Sequence, residues 1–271
     1  MTALLDYDRQ RVLVSGCRSG IGRATAKLLL DLGAEVHGID LEANELELRS
    51  FTATDLHDPH SIESALDKIG GPIHALFNCA GVAPGRPALD VMKVNFIGTR
   101  HLTDQVLPLM ARGGAIVSVG SLGGAGWSRR LPLLTQLVSS ESYQSAVTWC
   151  EQHADEISEG YSFSKEALIV WTMRISSELI KRGIRVNCTV PGAVQTPMLT
   201  EIETVTPSAV IDALARPFGR RSSAEEQAYP LLMLNSRAAT YINGAVLTVD
   251  GGHMAARLTG QVDSSSELGR R

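Results

Sequence analysis

The chain has 271 residues, 44% of them hydrophobic and 20% charged, with a formal net charge of −4. That composition suits a globular protein with a sizeable core, and its mild acidity gives no electrostatic case for binding nucleic acid or an anionic membrane surface. No apolar run reaches the length of a membrane span, and the opening MTALLDYDRQ carries two acids where a signal peptide would need an apolar stretch. The four cysteines, Cys17, Cys79, Cys150 and Cys188, are scattered, as expected of free thiols in a reducing cytoplasm. The seven histidines form no HxxxH or HExxH pattern, so no metal site is expected.

In chain order, RVLVSG reads as a buried strand. It runs into SGCRSGIG, where Gly16, Gly20 and Gly22 are spaced Gly-x3-Gly-x-Gly, and GIGRATAKLLLDLG follows as a helix ended by Gly33. Glycines between a strand and a helix allow a tight turn and a close approach to phosphate, while the helix N-terminus offers free N–H groups and a favourable dipole. Glycine loops alone are common in turns. In this context the loop predicts a dinucleotide site contacted by Gly16, Arg18, Ser19, Gly20, Ile21 and Gly22. EVHGID is the second strand. Asp40 ends it eighteen residues past Gly22, where an acid can accept hydrogen bonds from the adenosine ribose and repel a 2′-phosphate. The residues behind it, LEANELE from Leu41 to Glu47, add acids and no arginine, so NAD is expected rather than NADP. Arg18 is the contrary residue: it is either solvated or able to reach a 2′-phosphate. Asp55 and Leu56 end the next strand-like stretch, where they contact adenine, or Asp55 serves as a turn acid or helix cap.

SIESALDKIG then reads as a helix and IHALFNCAG as a strand. Asn78, Ala80 and Gly81 fall at its carboxyl edge, where ligands bind in such sheets. GTRHLTDQVLPLM reads as a helix, GAIVSVGS as a strand ending at Ser121, and SKEALIVWTMRISSELIKRG as a long helix. IRVNCTVPG and GAVLTVDGG are the last strands. Alternation of helices with nearly all-apolar strands predicts a parallel sheet covered on both faces. In YSFSK, Tyr161 and Lys165 lie four apart on one helical face. Such a pair is either solvated surface or a proton-transfer device, because a nearby cation lowers a phenol from its ordinary pKa of about 10.

Taken in order, SGCRSGIG, Asp40, Asp55-Leu56, NCAG, KVNF with Asn95, IVSVGS with Ser121, YSFSK, IRVNCTVPG and VDGG resemble the short-chain dehydrogenase/reductase family from about residue 11 to 254. The resemblance implies a single-domain, Rossmann-like, doubly wound α/β fold with a seven-stranded parallel sheet over residues 1–254. A polar tail over 255–271 follows. It implies a tetrad of Asn95, Ser121, Tyr161 and Lys165. Tyr161 would be the acid/base, Lys165 would lower its pKa and bind the nicotinamide ribose, Ser121 would hold the substrate oxygen, and Asn95 would anchor a relay water. It also implies that Pro191, Gly192, the Val194 backbone and Thr196 hold the nicotinamide. Residues 197–220, with Met198, Leu199, Ile202, Val205 and Phe218, would form an apolar lid. The implied activity is NAD-dependent interconversion of an alcohol and its carbonyl. A silent NAD-binding scaffold on the same fold is the alternative.

Two departures narrow the resemblance. Forty positions separate Ser121 from Tyr161, far more than in most members, and the added stretch of about 28 residues (within an insertion of about 125–157) has helical periodicity. Tyr143 stands closer to Ser121, but Val147 follows where a lysine would be needed, so it cannot replace Tyr161. Together with a short loop between Gly81 and Asn95, this resembles the 3α-hydroxysteroid dehydrogenase/carbonyl reductase and coniferyl-alcohol dehydrogenase branch. Its substrates are bulky, apolar, cyclic or aromatic alcohols and ketones. Family members commonly pair the GTRHLTDQVLPLM-type helix and the tyrosine helix with their copies in a second subunit. The insertion is expected to cover part of that surface, with Leu134, Leu137 and Trp149 walling the substrate pocket, giving a homodimer rather than a tetramer.

Overall fold

The structure, a computed structural model, describes residues 5–262. The chain runs β1 (Arg11–Ser15), α1 (Gly20–Asp31), β2 (Glu35–Asp40), β3 (Ser50–Ala53), α2 (Pro59–Ile69), β4 (Ile73–Asn78), α3 (Ala88–Met92), a π-helical turn (Lys93–Gly98), α4 (Thr99–Val106) and β5 (Met110–Val119). It continues through α5 (Leu131–Val138), α6 (Tyr143–Gln152), α7 (Ala154–Ile157), α8 (Tyr161–Leu179), β6 (Arg185–Pro191), α9 (Pro197–Glu203), α10 (Ser208–Ala213), α11 (Ala224–Asn235), β7 (Val246–Val249) and α12 (His253–Leu258).

The seven strands form one parallel sheet in the order β3-β2-β1-β4-β5-β6-β7. Successive side chains of a strand point to opposite faces, so a strand that is apolar throughout must be covered on both sides. In β1, Val12 and Val14 join Leu29 of α1 and Leu231 of α11 in one core, while Leu13 joins Ile62 of α2, Leu102 of α4 and Leu179 of α8 in the other. Ser15 pairs with Asn78, and Asn78 with Ser118, so the carboxyl ends of β1, β4 and β5 are nearly flush. The chain moves outward from β1 to β3, then returns to β4 and builds toward β7. The crevice outside the ends of β1 and β4 is therefore the topological switch point where such sheets bind ligands.

The insertion forms α5, α6 and α7. Its buried stripe, including Leu134, Leu137, Val147 and Ile157, packs with Met92, Phe96, Phe163, Leu168 and Trp171 in a core of its own. The rings of Phe96 and Trp171 meet edge to face at 6.3 Å. Polar contacts pin the insertion to α4 and its surroundings: the Tyr143 hydroxyl donates to the His57 carbonyl at 2.6 Å, and the Arg100 guanidinium donates to the Ser140 carbonyl. Trp149 stacks on His153 at 4.0 Å and on Phe163 at 6.1 Å. The expectation that Leu134, Leu137 and Trp149 wall the substrate pocket is therefore corrected. None of the three lines the cleft at the sheet's carboxyl edge. They pack instead in one core with Phe163, Leu168 and Trp171 of α8. Residues 255–258 of the expected tail form the end of α12, and residues 263–271 lie outside the described residues.

Leu137 is fully buried in this second core. Leu137→Ala is expected to cost about 2–5 kcal/mol through lost burial and a residual cavity, seen as a lower denaturant midpoint. An unchanged midpoint would show that the stripe is not packed.

Candidate active site

The glycine loop is shaped by how closely β1 and β4 end. Gly16 has φ +72°, and a Cβ there would stand 2.6 Å from the Ala80 nitrogen; one at Gly22 would stand 2.0 Å from the Gly16 carbonyl oxygen. Only glycine fits either place. Ser15, which sequence reasoning missed, locks the two strand ends together: its hydroxyl oxygen accepts the N–H groups of Cys79 and Ala80, each at 3.2 Å. Its one signal was its place as the last strand residue before the loop. At the N-terminus of α1, Ser19 makes no side-chain cap and the first turn holds no acid. The N–H groups and positive dipole end are thus available to an anion.

Asp40 stands at the far end of the cleft, where its carboxylate accepts the Arg18 N–H at 2.9 Å and the Leu41 N–H at 2.7 Å. The Arg18 guanidinium pairs with Glu42 at 2.7 Å. Asp55 lines the cleft and is also a turn acid, accepting the His57 N–H at 2.8 Å, while Asp58 caps α2.

The other end holds the reactive groups. Ser121 follows β5, accepts the Gly123 N–H at 3.1 Å, and lines the same cleft as the Tyr161 phenol. Lys165, one turn after Tyr161, is buried; its Nζ donates to the Val119 carbonyl at 3.0 Å and lies 5.8 Å from the Tyr161 ring centre. Asn95 sits in the π-helical turn, a device often found at functional sites. Its Oδ1 accepts the Val82 N–H at 2.7 Å and its Nδ2 donates to the Val82 carbonyl at 3.1 Å. A Cβ at Gly81 would stand 3.1 Å from Asn95 Oδ1 and 3.7 Å from Lys165 Nζ. The small residue thus lets the amide and the ammonium converge beneath the loop.

One cleft joins both ends. It is lined by Gly16, Arg18, Ser19, Gly20, Ile21, Gly22, Asp40, Leu41, Asp55, Leu56, Ala80, Gly81, Ser121, Tyr161, Lys165, Pro191, Gly192, Val194 and Thr196. Two expected residues stand behind its wall. Asn95 braces the loop from below. Asn78 is corrected from a cofactor contact to a sheet brace, because its buried amide donates to Thr103 Oγ1 at 3.0 Å and Ser118 Oγ at 3.2 Å. Of the expected lid residues, Met198, Leu199 and Ile202 line the cleft. Val205 and Phe218 do not; both are exposed, and Phe218 lies under the Arg220 guanidinium. Val82, Val94 and Cys79 also belong to the wall and carried no distinguishing signal in the sequence.

Burial dominates the electrostatics. It raises the Tyr161 phenol above its ordinary pKa; the Ser121 hydrogen bond opposes the rise and the Glu159 carboxylate adds to it. Lys165 is not among the groups that shift the phenol here; its ammonium is directed at the Val119 carbonyl. Burial pushes Lys165 itself down to about 8, with Cys79 and Cys188 opposing. The same cause pushes both thiols up to about 12.

Fold and site together define a Rossmann-type oxidoreductase. The family model described as short chain dehydrogenase matches residues 10–131, and one described as enoyl-(acyl carrier protein) reductase matches residues 140–254. The chain is 35% identical to coniferyl-alcohol dehydrogenase of Pseudomonas sp. (strain HR199 / DSM 7063), covering 92% of this chain and 98% of that one. It is 31% identical to 3-alpha-hydroxysteroid dehydrogenase/carbonyl reductase of Comamonas testosteroni, covering 89% and 95%. Among solved structures, the 3-alpha-hydroxysteroid dehydrogenase from Pseudomonas sp. B-0831 complexed with NADH superposes with a TM-score of 0.77 at 30% identity, covering 94% and 100%. The chain belongs to the short-chain dehydrogenase/reductase family. Among the described residues, no helix is long and apolar enough to cross a membrane.

Gly22→Ala places a methyl group against the Gly16 carbonyl. It is expected to weaken NADH binding at least about tenfold, or ~1.4 kcal/mol, in a fluorescence titration. Wild-type affinity would show that the loop does not need this close approach.

Proposed function

We propose that the protein is an NAD-dependent alcohol dehydrogenase/carbonyl reductase that interconverts a bulky apolar alcohol and its ketone or aldehyde. The observation that carries this reading is the meeting of Ser121, Tyr161 and Lys165, with the Lys165 Nζ 5.8 Å from the Tyr161 ring centre, in a cleft shared with the glycine loop and the apolar residues Met198, Leu199 and Ile202. The donor set fits a dinucleotide. The Gly16–Gly22 loop and α1 N-terminus would hold the pyrophosphate, Asp40 the adenosine ribose hydroxyls, Lys165 the nicotinamide ribose, and Val194 with Thr196 the carboxamide. When bound, NAD supplies the hydride acceptor for oxidation, and NADH the donor for reduction.

The chain's own residues handle the proton and the geometry. Ser121 holds the substrate oxygen. Tyr161 receives the hydroxyl proton during oxidation and returns it to the carbonyl oxygen during reduction. A phenol kept protonated by burial is ready for reduction, whereas oxidation must first remove its proton, so oxidation gains with rising pH. Asn95 holds the 80–82 loop against Lys165.

The 35% identity to coniferyl-alcohol dehydrogenase favours an allylic aromatic alcohol as the second reading. The four free thiols suit a reducing cytoplasm. The packing of the insertion on α8 supports a homodimer rather than a tetramer, distinguished by light scattering.

Absorbance of NADH, followed with a panel of cyclic and aromatic alcohols, tests the activity. With the best substrate, kcat/KM is expected to favour NAD over NADP at least about tenfold, ~1.4 kcal/mol in the transition state, and Asp40→Ala to narrow that gap. Equal use of both cofactors by the wild type would contradict the reading and bring Arg18 forward as a phosphate ligand.

A further inference from the structure

The turn that leads from the insertion into α8 uses backbone that side-chain-bearing residues avoid. Ser158 has φ +53° and Gly160 φ +80°. A Cβ at position 160 would stand 2.5 Å from the Ala88 carbonyl oxygen, so the start of α3 closes tightly over the turn. Gly160 stands at the N-cap of α8 and offers no side-chain acceptor, and the first turn of α8 holds no acid. The leading N–H groups of a helix need partners from outside it. Glu159 provides them: its Oε2 accepts the Tyr161 N–H at 2.9 Å and its Oε1 accepts the Ser162 N–H at 2.8 Å. Both oxygens are thus committed, one of them to the backbone of the tyrosine whose phenol meets Ser121.

We propose that Glu159 is a positioning residue of this active site: its carboxylate holds the Tyr161 backbone at the start of α8, and its charge stands beside the tyrosine that handles the proton. The inference rests on the reading of Tyr161 as the acid/base. Two charged groups stand near Tyr161: Lys165 of α8, with its Nζ 5.8 Å from the ring centre, and Glu159 of the turn, hydrogen-bonded to the backbone N–H. Ser121, beyond β5, presents a neutral hydroxyl, and the thiols of Cys79 after β4 and Cys188 in β6 face Lys165. The lid contributes only the uncharged residues Pro197, Met198, Leu199 and Ile202 to the cleft wall. Among these groups Glu159 is the one exposed to solvent, so its field is the one that salt can screen.

Glu159→Gln removes the charge and keeps an oxygen acceptor for one of the two N–H groups; Glu159→Ala removes the charge and both acceptors. The phenolate absorbance of each protein is titrated against that of the same protein carrying Tyr161→Phe, and the pH profile of alcohol oxidation is recorded beside it. With Glu159→Gln, the phenolate midpoint and the acid limb of oxidation are both expected to move to lower pH, and high salt to shrink the difference from wild type. With Glu159→Ala, kcat is expected to fall roughly tenfold while KM changes little, the loss expected when a reacting group is displaced. A Glu159→Gln titration that superimposes on wild type would overturn the electrostatic role. A wild-type kcat in Glu159→Ala would overturn the positioning role. If the wild type oxidises no alcohol at all, the proposed activity falls, while the phenolate titration still decides whether Glu159 governs the phenol.

Discussion

Everything in this molecule depends on how closely the ends of β1 and β4 approach. The Ser15 hydroxyl accepts two N–H groups from the start of the loop after β4, and Gly16 and Gly22 leave no room for a Cβ. That approach creates the crevice at the topological switch point and aims the N-terminus of α1 into it. It also sets the depth at which Gly81, Asn95 and Lys165 meet. A methyl group at position 16 or 22 would separate the loop from the strand that backs it, and the cleft would lose both its anion site and its floor.

Burial is the second organising force, and it acts against charge. The cleft raises the pKa of Tyr161 and lowers that of Lys165 to about 8, so each is driven toward its neutral form. Lys165 still carries most of its charge at neutral pH, but the Val119 carbonyl takes its proton-bearing end. A phenol in these surroundings is an acid first and a base only with help. The insertion enters this balance indirectly. Its apolar stripe is buried against α8, and the turn that ends it delivers Glu159 to the first N–H groups of that helix.

The glycine loop, Asp40, Ser121 and YSFSK were legible in the sequence because each occupies a strand end or a helix start, where local pattern determines position. The parallel sheet followed from runs such as RVLVS and RVNCTVP, too apolar to face water on either side. Other features depend on partners that a local pattern does not name. A polar residue at a strand end looks the same whether it faces a ligand or, like Asn78, braces Thr103 and Ser118. Leu134, Leu137 and Trp149 mark an apolar stripe, but periodicity does not say which surface will cover it. Val205 and Phe218 lie on the lid segment yet point into solvent. Glu159 carried no motif because its role exists only once Ser158 and Gly160 have bent the chain.

The central claim is that the Tyr161 hydroxyl acts on the substrate's proton and not on the cofactor. Removing that oxygen alone tests it most directly: kcat of Tyr161→Phe is measured beside its affinity for NADH. Loss of turnover by a factor of about 10²–10⁴, the usual worth of a positioned acid or base, with NADH affinity near wild type, is the result the account predicts. Turnover close to wild type would contradict it.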